Sequence, residues 1–195
     1  MKKVCLLVTH EQSGSPALFN ILAAHPRIQG YHTGRTYNHP LVLQELTALP
    51  HKTQTAAEIW LDELSHNYQF SCKELYRICR FLYMVRPAEA TLNALIFSGF
   101  EPDFAARYYC YRLRRICEMA KRTPEAVLVT FDDALTGTAF PLIEEYLVLK
   151  TPLFGNPASF PTAPVGLAKW DLVKSCQESY ERHLFFLRSR LRCNR

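Results

Sequence analysis

Three stretches of the chain are continuously apolar and bounded by polar or turn-forming residues. They cover residues 3–9, 81–85 and 126–131. Such runs are typical of strands that are buried on both faces of a parallel sheet. Residues 27–31 predict one more short strand. The pattern therefore predicts at least four strands that are spread over most of the chain.

Helical patterns follow these strands. Ser15 as N-cap and Pro16 as the first helical residue open a helix that His25 and Pro26 end. Further apolar stripes at helical spacing predict helices at residues 88–97, 102–122 and 140–147. Strands that alternate with helices of this length predict an α/β fold with a central, mostly parallel sheet. We interpret residues 1–195 as one domain.

Three capping-box patterns predict the first turns of additional helices. They are Thr55-x-x-Glu58, Ser71-x-x-Glu74 and Ser175-x-x-Glu178. Residues 32–40 are polar and predict a loop, which leads into a helix over residues 41–49. Residues 151–168 are rich in proline and glycine and carry no charge, which predicts a long irregular loop over the sheet.

The composition is that of a globular protein with room for one well-buried core, because 48% of its 195 residues are hydrophobic. A net charge of +5 favours an anionic ligand but lacks the dense basic stripe of a nucleic-acid binder, so no nucleic-acid partner is expected. No apolar run is long enough for a membrane helix or matches a signal peptide. The sequence therefore predicts a cytoplasmic protein without a membrane partner.

The seven cysteines are an odd number and include no C-x-x-C pattern, which predicts neither a zinc site nor a complete disulfide framework. We expect reduced thiols and no bound metal. Cys72 with Cys79, and Cys110 with Cys117, are seven residues apart, so each pair is predicted on one face of a helix. Core packing is favoured over redox chemistry for these four thiols.

The segment that joins the first strand to the first helix, residues 9–16 (THEQSGSP), is the first candidate for chemistry. In α/β proteins the free amides and dipole of a helix start face the crevice beyond the strand and attract anions. Gly14 lets the backbone approach a phosphate closely, and Ser13 and Ser15 offer hydroxyl groups. The Walker pattern is absent. Spacing alone leaves two interpretations open, an anion site and an ordinary strand-to-helix turn.

A wider likeness favours the anion site. Residues 13–28 (SGSPALFNILAAHPRI) resemble the first motif of sulfotransferases that use 3′-phosphoadenosine 5′-phosphosulfate, especially their bacterial branch. Residues 83–87 (YMVRP), 127–133 (VLVTFDD) and 177–182 (QESYER) resemble the second motif, the third strand with its acidic ending, and the closing helix. The resemblance implies the three-layer, P-loop-like sulfotransferase fold, in which helices flank a central, mostly parallel sheet.

The resemblance also assigns a donor site residue by residue. It implies that Ser13, Gly14 and Ser15 cradle the 5′-phosphosulfate and that Arg86 pairs with the 3′-phosphate. The alternative for Arg86 is a charge at the surface end of a strand. Asn93 lies near the place of the second-motif serine and offers the same hydrogen bond. The alternative for Asn93 is a solvent-facing helix residue.

Three departures from the family pattern weaken that site. Gln12 takes the place of the usual lysine or arginine, so a hydrogen-bond donor replaces a cation that balances charge on the leaving group. Pro16 replaces a hydroxyl residue and removes one backbone donor. The family's basic loop corresponds to residues 151–168, which contain neither lysine nor arginine. Lys169 and Lys174 are the candidates to replace its charge.

The acceptor must lose a proton as it attacks, and the family usually draws that base from a histidine or glutamate beyond the second strand. His32 occupies the corresponding region of this sequence. His10 and Glu11 compete with it because they flank the donor loop, and the sequence leaves the choice among the three open. Together with Gln12, which stands in the place of the leaving-group cation, we take His32 and His10 as the catalytic candidates.

The resemblance as a whole implies a metal-free sulfotransferase. It would move a sulfuryl group from 3′-phosphoadenosine 5′-phosphosulfate to a hydroxyl or amine on a small-molecule or carbohydrate acceptor. The departures at Gln12, at Pro16 and in the uncharged loop allow an alternative, a non-catalytic nucleotide-binding or interaction protein with the same fold. A P-loop kinase of small molecules is a third hypothesis, which the missing Walker lysine disfavours.

Overall fold

Five parallel strands form one sheet at the centre of the described chain. They come from a computed structural model, which describes residues 4–31, 59–64, 76, 79–156 and 159–193. The strands are β1 (Val4–Val8), β2 (Ile28–Gly30), β3 (Ile59–Leu64), β4 (Cys79–Val85) and β5 (Val127–Thr130). Their order is β2-β3-β1-β4-β5, and every neighbouring pair is parallel. The sheet confirms the predicted parallel arrangement.

Six helices accompany the sheet in the same described ranges. They are α1 (Ser15–Ala23), α2 (Ala88–Phe97), α3 (Pro102–Ala120), α4 (Phe131–Thr136), α5 (Phe140–Leu147) and α6 (Trp170–Arg190). None of the helices in this part of the chain combines the length and the apolar character that a membrane span requires.

Helices cover both faces of the sheet because successive side chains of each strand point to opposite sides. Leu6 packs in a core with Tyr109 of α3 and Leu187 of α6. Leu7, the next residue along β1, packs instead with Leu18 of α1 and Ile143 of α5. Most side chains of β1, β4 and β5 are buried and apolar on both faces, which explains the apolar runs of these strands. The predicted α/β class is confirmed at this level.

Several predicted elements lie where expected. The predicted strands at residues 3–9, 27–31, 81–85 and 126–131 match β1, β2, β4 and β5. The helices predicted at residues 88–97, 102–122 and 140–147 match α2, α3 and α5. The described part of the predicted long loop contains no helix or strand beyond one short turn at residue 159.

The helix predicted from Thr55 is wrong beyond Glu58, because residues 59–64 form β3 between β1 and β2. Val4 of β1 pairs with Trp60, and Ile28 of β2 pairs with Ile59. A capping box is a local signal, and here it is overridden by main-chain pairing with strands that are distant in sequence. The predicted loop 32–40, the helix 41–49 and the helix start at Ser71 lie outside the described residues.

Three other local predictions are corrected. The last helix begins at Trp170, so Ser175 lies inside it and is not its cap. The N-cap of α1 is Gly14 and not Ser15. Cys79 belongs to β4, so it does not share a helix face with Cys72. Helix α4 was not predicted, and it is capped by the Thr130 hydroxyl, which accepts a hydrogen bond from the Asp133 amide.

Candidate functional site

The ends of three strands create a crevice at one edge of the sheet. Because the strands are parallel, the segment after β1, Arg86 after β4 and Phe131 after β5 lie at the same edge. A cavity of about 270 Å³ opens there. Gln12, Gly14 and Ser15 of the turn line it together with Pro161 of the long loop. This is the position where open α/β sheets bind ligands.

The turn between β1 and α1 contains two residues in the left-handed region, Gln12 with φ of 59° and Gly14 with φ of 87°. Between them, the buried Ser13 donates its amide to the His10 carbonyl at 3.2 Å and accepts from the Ser15 amide at 3.3 Å. The Ser13 hydroxyl therefore already has one partner within the turn. Gly14 carries no side chain, so α1 begins without a cap from its N-cap residue.

Gly14 is required by space as well as by backbone conformation. A Cβ atom at this position would lie 2.7 Å from Cε2 of Phe131, closer than real Cβ contacts. The ring of Phe131 in turn meets Phe160 of the long loop edge to face, with centroids 5.6 Å apart. The start of α1 is thus packed tightly against the residue that follows β5 and against the loop.

His10 is fully buried and uses both ring nitrogens inside the protein. Nδ1 donates to the Glu11 carbonyl at 2.8 Å, and Nε2 accepts from the Arg86 amide at 3.1 Å. These bonds require the neutral ring with its proton on Nδ1. Burial lowers the pKa of His10 to about 4. The arrangement fastens the end of β1 to the end of β4 and disfavours His10 as a general base.

Arg86 connects the turn to the long loop. Its guanidinium is buried, with one terminal nitrogen donating to the Gln12 carbonyl at 3.1 Å and the other to the Pro161 carbonyl at 3.0 Å. The guanidinium carbon lies 4.0 Å from the centroid of the Phe131 ring, a cation–π geometry. Nε is buried and has no hydrogen-bond partner among the described residues.

The charge of Arg86 is poorly compensated. Burial lowers the pKa of its guanidinium, and the carboxylate of Asp132 partly opposes this shift. No described carboxylate forms an ion pair with it. A buried cation without a counter-ion is costly, and it favours the binding of an anion at the same place. The alternative interpretation, a charge at an exposed strand end, is wrong because Arg86 is only 3% exposed.

A second buried arginine was not predicted. Arg112 of α3 is 2% exposed, and its Nε donates to the Thr9 carbonyl at the end of β1, at 2.8 Å. Its position could have been found from spacing, because Arg112 lies three residues after Tyr109 and four before Ile116, on the apolar stripe of the helix. Two guanidinium groups therefore lie near the turn, and the positive charge of each lowers the pKa of His10.

Asn93 anchors the end of the long loop. It is buried, and its side-chain oxygen accepts hydrogen bonds from the amides of Leu167 and Ala168, at 2.9 and 2.8 Å. The interpretation of Asn93 as a solvent-facing residue is therefore wrong. Its assignment to the 3′-phosphate stays a prediction. In this arrangement its side-chain oxygen accepts hydrogen bonds from the loop.

The other candidates are distributed around the cavity. The Gln12 side chain donates to the Ser98 hydroxyl at 3.1 Å, so its amide is held by the end of α2. The Glu11 amide donates to the Tyr108 hydroxyl at 3.0 Å. Lys169 and Lys174 are exposed at the start of α6. His32 lies outside the described residues.

Within the described ranges, no group of three or more histidine, cysteine, aspartate or glutamate residues is arranged to hold a metal ion. No protein-family model matches the chain, and no curated protein matches it. The geometry of the crevice and the motifs of the sequence are therefore the features that indicate a function.

Proposed function

We propose that the protein binds 3′-phosphoadenosine 5′-phosphosulfate in the crevice and transfers its sulfuryl group to a hydroxyl or amine of a small-molecule or carbohydrate acceptor. The proposal includes the P-loop-like sulfotransferase fold that the motifs imply. The observation that carries it is the guanidinium of Arg86, which is buried beside the cavity at the start of α1 and forms no ion pair with a carboxylate of the described residues. Helix starts with close backbone approach are suited to phosphate and sulfate groups.

The phosphosulfate end of the donor fits the residues that are present. Gly14 and Ser15 line the cavity at the start of α1. The dipole of α1 and the charge of Arg86 both favour an anion at this end of the sheet. When bound, the donor supplies an activated sulfuryl group, and this chain supplies the charge and the amides that hold it.

The 3′-phosphate end fits less directly. Both terminal nitrogens of Arg86 donate to the carbonyls of Gln12 and Pro161. Because the guanidinium is buried, a phosphate can pair with it only if a neighbouring group such as the Pro161 carbonyl moves aside. Pro161 belongs to the long loop, so we expect this loop to move when the nucleotide binds.

A non-catalytic nucleotide-binding protein of the same fold is the second candidate function. It is favoured by His10, whose two ring nitrogens are both occupied, and by Gln12, whose amide is bonded to Ser98 and carries no charge. Such a protein would bind the nucleotide without transferring the sulfuryl group. The two candidates differ in turnover and not in binding.

Isothermal titration with 3′-phosphoadenosine 5′-phosphate tests the binding step that both candidates share. The Arg86→Gln variant should bind roughly 10- to 100-fold more weakly, the range expected for the loss of a charged hydrogen bond. Arg80→Gln is the matched control, because Arg80 lies near the start of β4, the strand that Arg86 follows, and also donates to a carbonyl, that of Tyr146. Circular dichroism confirms that both variants are folded.

Equal binding by the wild type and by folded Arg86→Gln would overturn the assignment of Arg86. If the nucleotide binds, incubation with labelled 3′-phosphoadenosine 5′-phosphosulfate and a panel of phenols, amines and sugars separates the two candidates. Transfer supports the enzyme, and binding without transfer supports the non-catalytic protein. A preference for ATP with Mg²⁺ would favour the kinase hypothesis instead.

A further inference from the structure

Two cysteines face each other across the contact between α3 and α6. The Sγ atoms of Cys110 and Cys176 lie 3.6 Å apart, although the residues are 66 positions apart in the sequence. Both thiols are free. A disulfide needs an S–S distance of about 2.05 Å, so the two sulfurs are in contact but not bonded. Bond formation requires the two sulfurs to approach by about 1.5 Å.

The two thiols differ in their access to solvent. Cys110 is half-buried, whereas Cys176 is only 2% exposed. The thiol of Cys176 also lies 3.8 Å from the Ala106 carbonyl, inside the core between the helices. A small oxidant in solution can therefore reach Cys110, and Cys176 is placed to react with Cys110. This is the division between an attacking and a resolving thiol.

The surroundings of Cys110 favour its thiolate. The hydrogen bond with Cys176 lowers the pKa of Cys110 to about 6, with smaller contributions from the Ser179 hydroxyl and from the charges of Arg114 and Arg182. Burial opposes this shift. The same hydrogen bond raises the pKa of Cys176, so Cys176 keeps its proton. The thiolate is the nucleophilic form of cysteine.

We propose that Cys110 and Cys176 form a reversible, hydroperoxide-sensitive dithiol. The Cys110 thiolate attacks a peroxide oxygen, the O–O bond breaks, and the departing alkoxide or hydroxide takes up a proton. Cys110 is then a sulfenic acid. The Cys176 sulfur attacks the Cys110 sulfur, the S–O bond breaks, and hydroxide leaves with the Cys176 proton as water. Overall, the two thiols are oxidised to a disulfide. An organic hydroperoxide is reduced to an alcohol and water, and hydrogen peroxide is reduced to water alone.

This disulfide would lie close to the crevice. Gln177, the neighbour of Cys176, accepts a hydrogen bond from the Ala88 amide at the start of α2, at 3.2 Å. Helix α6 begins at Trp170, two residues after Ala168, which Asn93 holds. Oxidation would therefore join α3 to α6, which follows the loop end that Asn93 holds. The proposal concerns thiol chemistry and is independent of the proposed function.

Peptide mapping by mass spectrometry tests the proposal on the full chain. The protein is treated with hydrogen peroxide, the remaining thiols are alkylated, and the digest is searched for disulfide-linked peptides. We expect a Cys110–Cys176 link that dithiothreitol reverses, and a rise of several degrees in the Tm of the oxidised protein. If Cys193 or other thiols oxidise while Cys110 and Cys176 stay reduced and are found alkylated, the proposal is overturned.

Two variants test the roles of the two sulfurs. In Cys176→Ser, the Cys110 sulfenic acid has no resolving thiol, so dimedone should label Cys110. In Cys110→Ser, dimedone should not label Cys176. Cys117→Ser is the control, because Cys117 lies on the same helix as Cys110, and its Sγ contacts the His183 carbonyl at 3.8 Å. It should form the disulfide like the wild type. Cys176→Ala replaces Cys176→Ser if the latter does not fold, and labelling of Cys176 in place of Cys110 would contradict the assigned roles.

Discussion

Replacing Gly14 with alanine measures how tightly the turn after β1 is built. The added Cβ would lie 2.7 Å from Cε2 and 2.9 Å from Cδ2 of Phe131, and the backbone would keep a φ of +87°. Phe131 has little freedom to withdraw, because the guanidinium of Arg86 lies against its ring and Phe160 packs edge to face against it. The substitution therefore combines backbone strain with overpacking.

Substitution of a second glycine separates the cost of backbone strain from the cost of overpacking. Alanine in the left-handed conformation costs roughly 1–2 kcal/mol. Because alanine also lowers the conformational entropy of the unfolded chain relative to glycine, roughly 0.4–1 kcal/mol of this cost is offset. Gly99 has a φ of +95°, and a Cβ there meets nothing within 4 Å. Gly99→Ala should thus cost roughly 0–1.6 kcal/mol. Gly14→Ala carries an additional overpacking cost of roughly 1–3 kcal/mol.

Urea denaturation of the wild type and the two variants, followed by far-UV circular dichroism, measures these differences. We expect the midpoint of Gly14→Ala to fall clearly below that of Gly99→Ala. In the background Phe131→Leu the excess cost of Gly14→Ala should shrink, because the ring that it meets is gone. Equal destabilisation at the two glycines, or an unchanged excess in the Phe131→Leu background, would refute the described packing of the turn.

Three further predictions concern the buried polar groups. His10 has a folded pKa of about 4 and an unfolded value near 6.5, so the unfolded chain binds more protons and stability falls by about 3 kcal/mol from pH 6.5 to 4. Urea titrations of His10→Gln should lack this part of the pH dependence, and an unchanged slope would contradict the buried neutral ring. Asn93→Ala leaves two loop amides without their acceptor, so limited proteolysis should cut residues 159–169 faster than in the wild type. Unchanged cleavage would argue against the anchor. Tyr83→Phe removes the 2.6 Å hydrogen bond to the buried Thr123 hydroxyl, which keeps its bond to the Met119 carbonyl, and should cost roughly 0.5–1.5 kcal/mol in thermal denaturation, whereas a neutral effect would exclude that bond.

The strands that pack helices on both faces were the easiest part of the fold to predict. The apolar runs of β1, β4 and β5 follow directly from burial on two sides, and the sequence carries that pattern without reference to other segments. Strand β3 was missed because Thr55 and Glu58 give a local helix signal, while its pairing with β1 and β2 depends on residues tens of positions away.

At the site, too, features set by neighbouring residues could be predicted, and contacts between residues distant in sequence could not. The position of the turn after β1 and the place of Arg86 at the end of β4 could be predicted from strand ends. The partners of these residues could not, since Arg86 donates to Pro161, 75 positions away, and Asn93 accepts from Leu167, 74 positions away. Arg112 and the contact of Cys110 with Cys176 likewise appear only when the helices are packed together.

The central claim is that the crevice at the start of α1 binds a nucleotide through its phosphate groups, one of them at Arg86. Isothermal titration of the wild-type protein with 3′-phosphoadenosine 5′-phosphate and with 5′-AMP, which lacks the 3′-phosphate, tests this claim most directly. We expect the first nucleotide to bind at least about 10-fold more tightly, since its extra phosphate adds a charged contact with arginine. An absence of binding at high micromolar concentration, or equal affinity for the two nucleotides, would contradict the account.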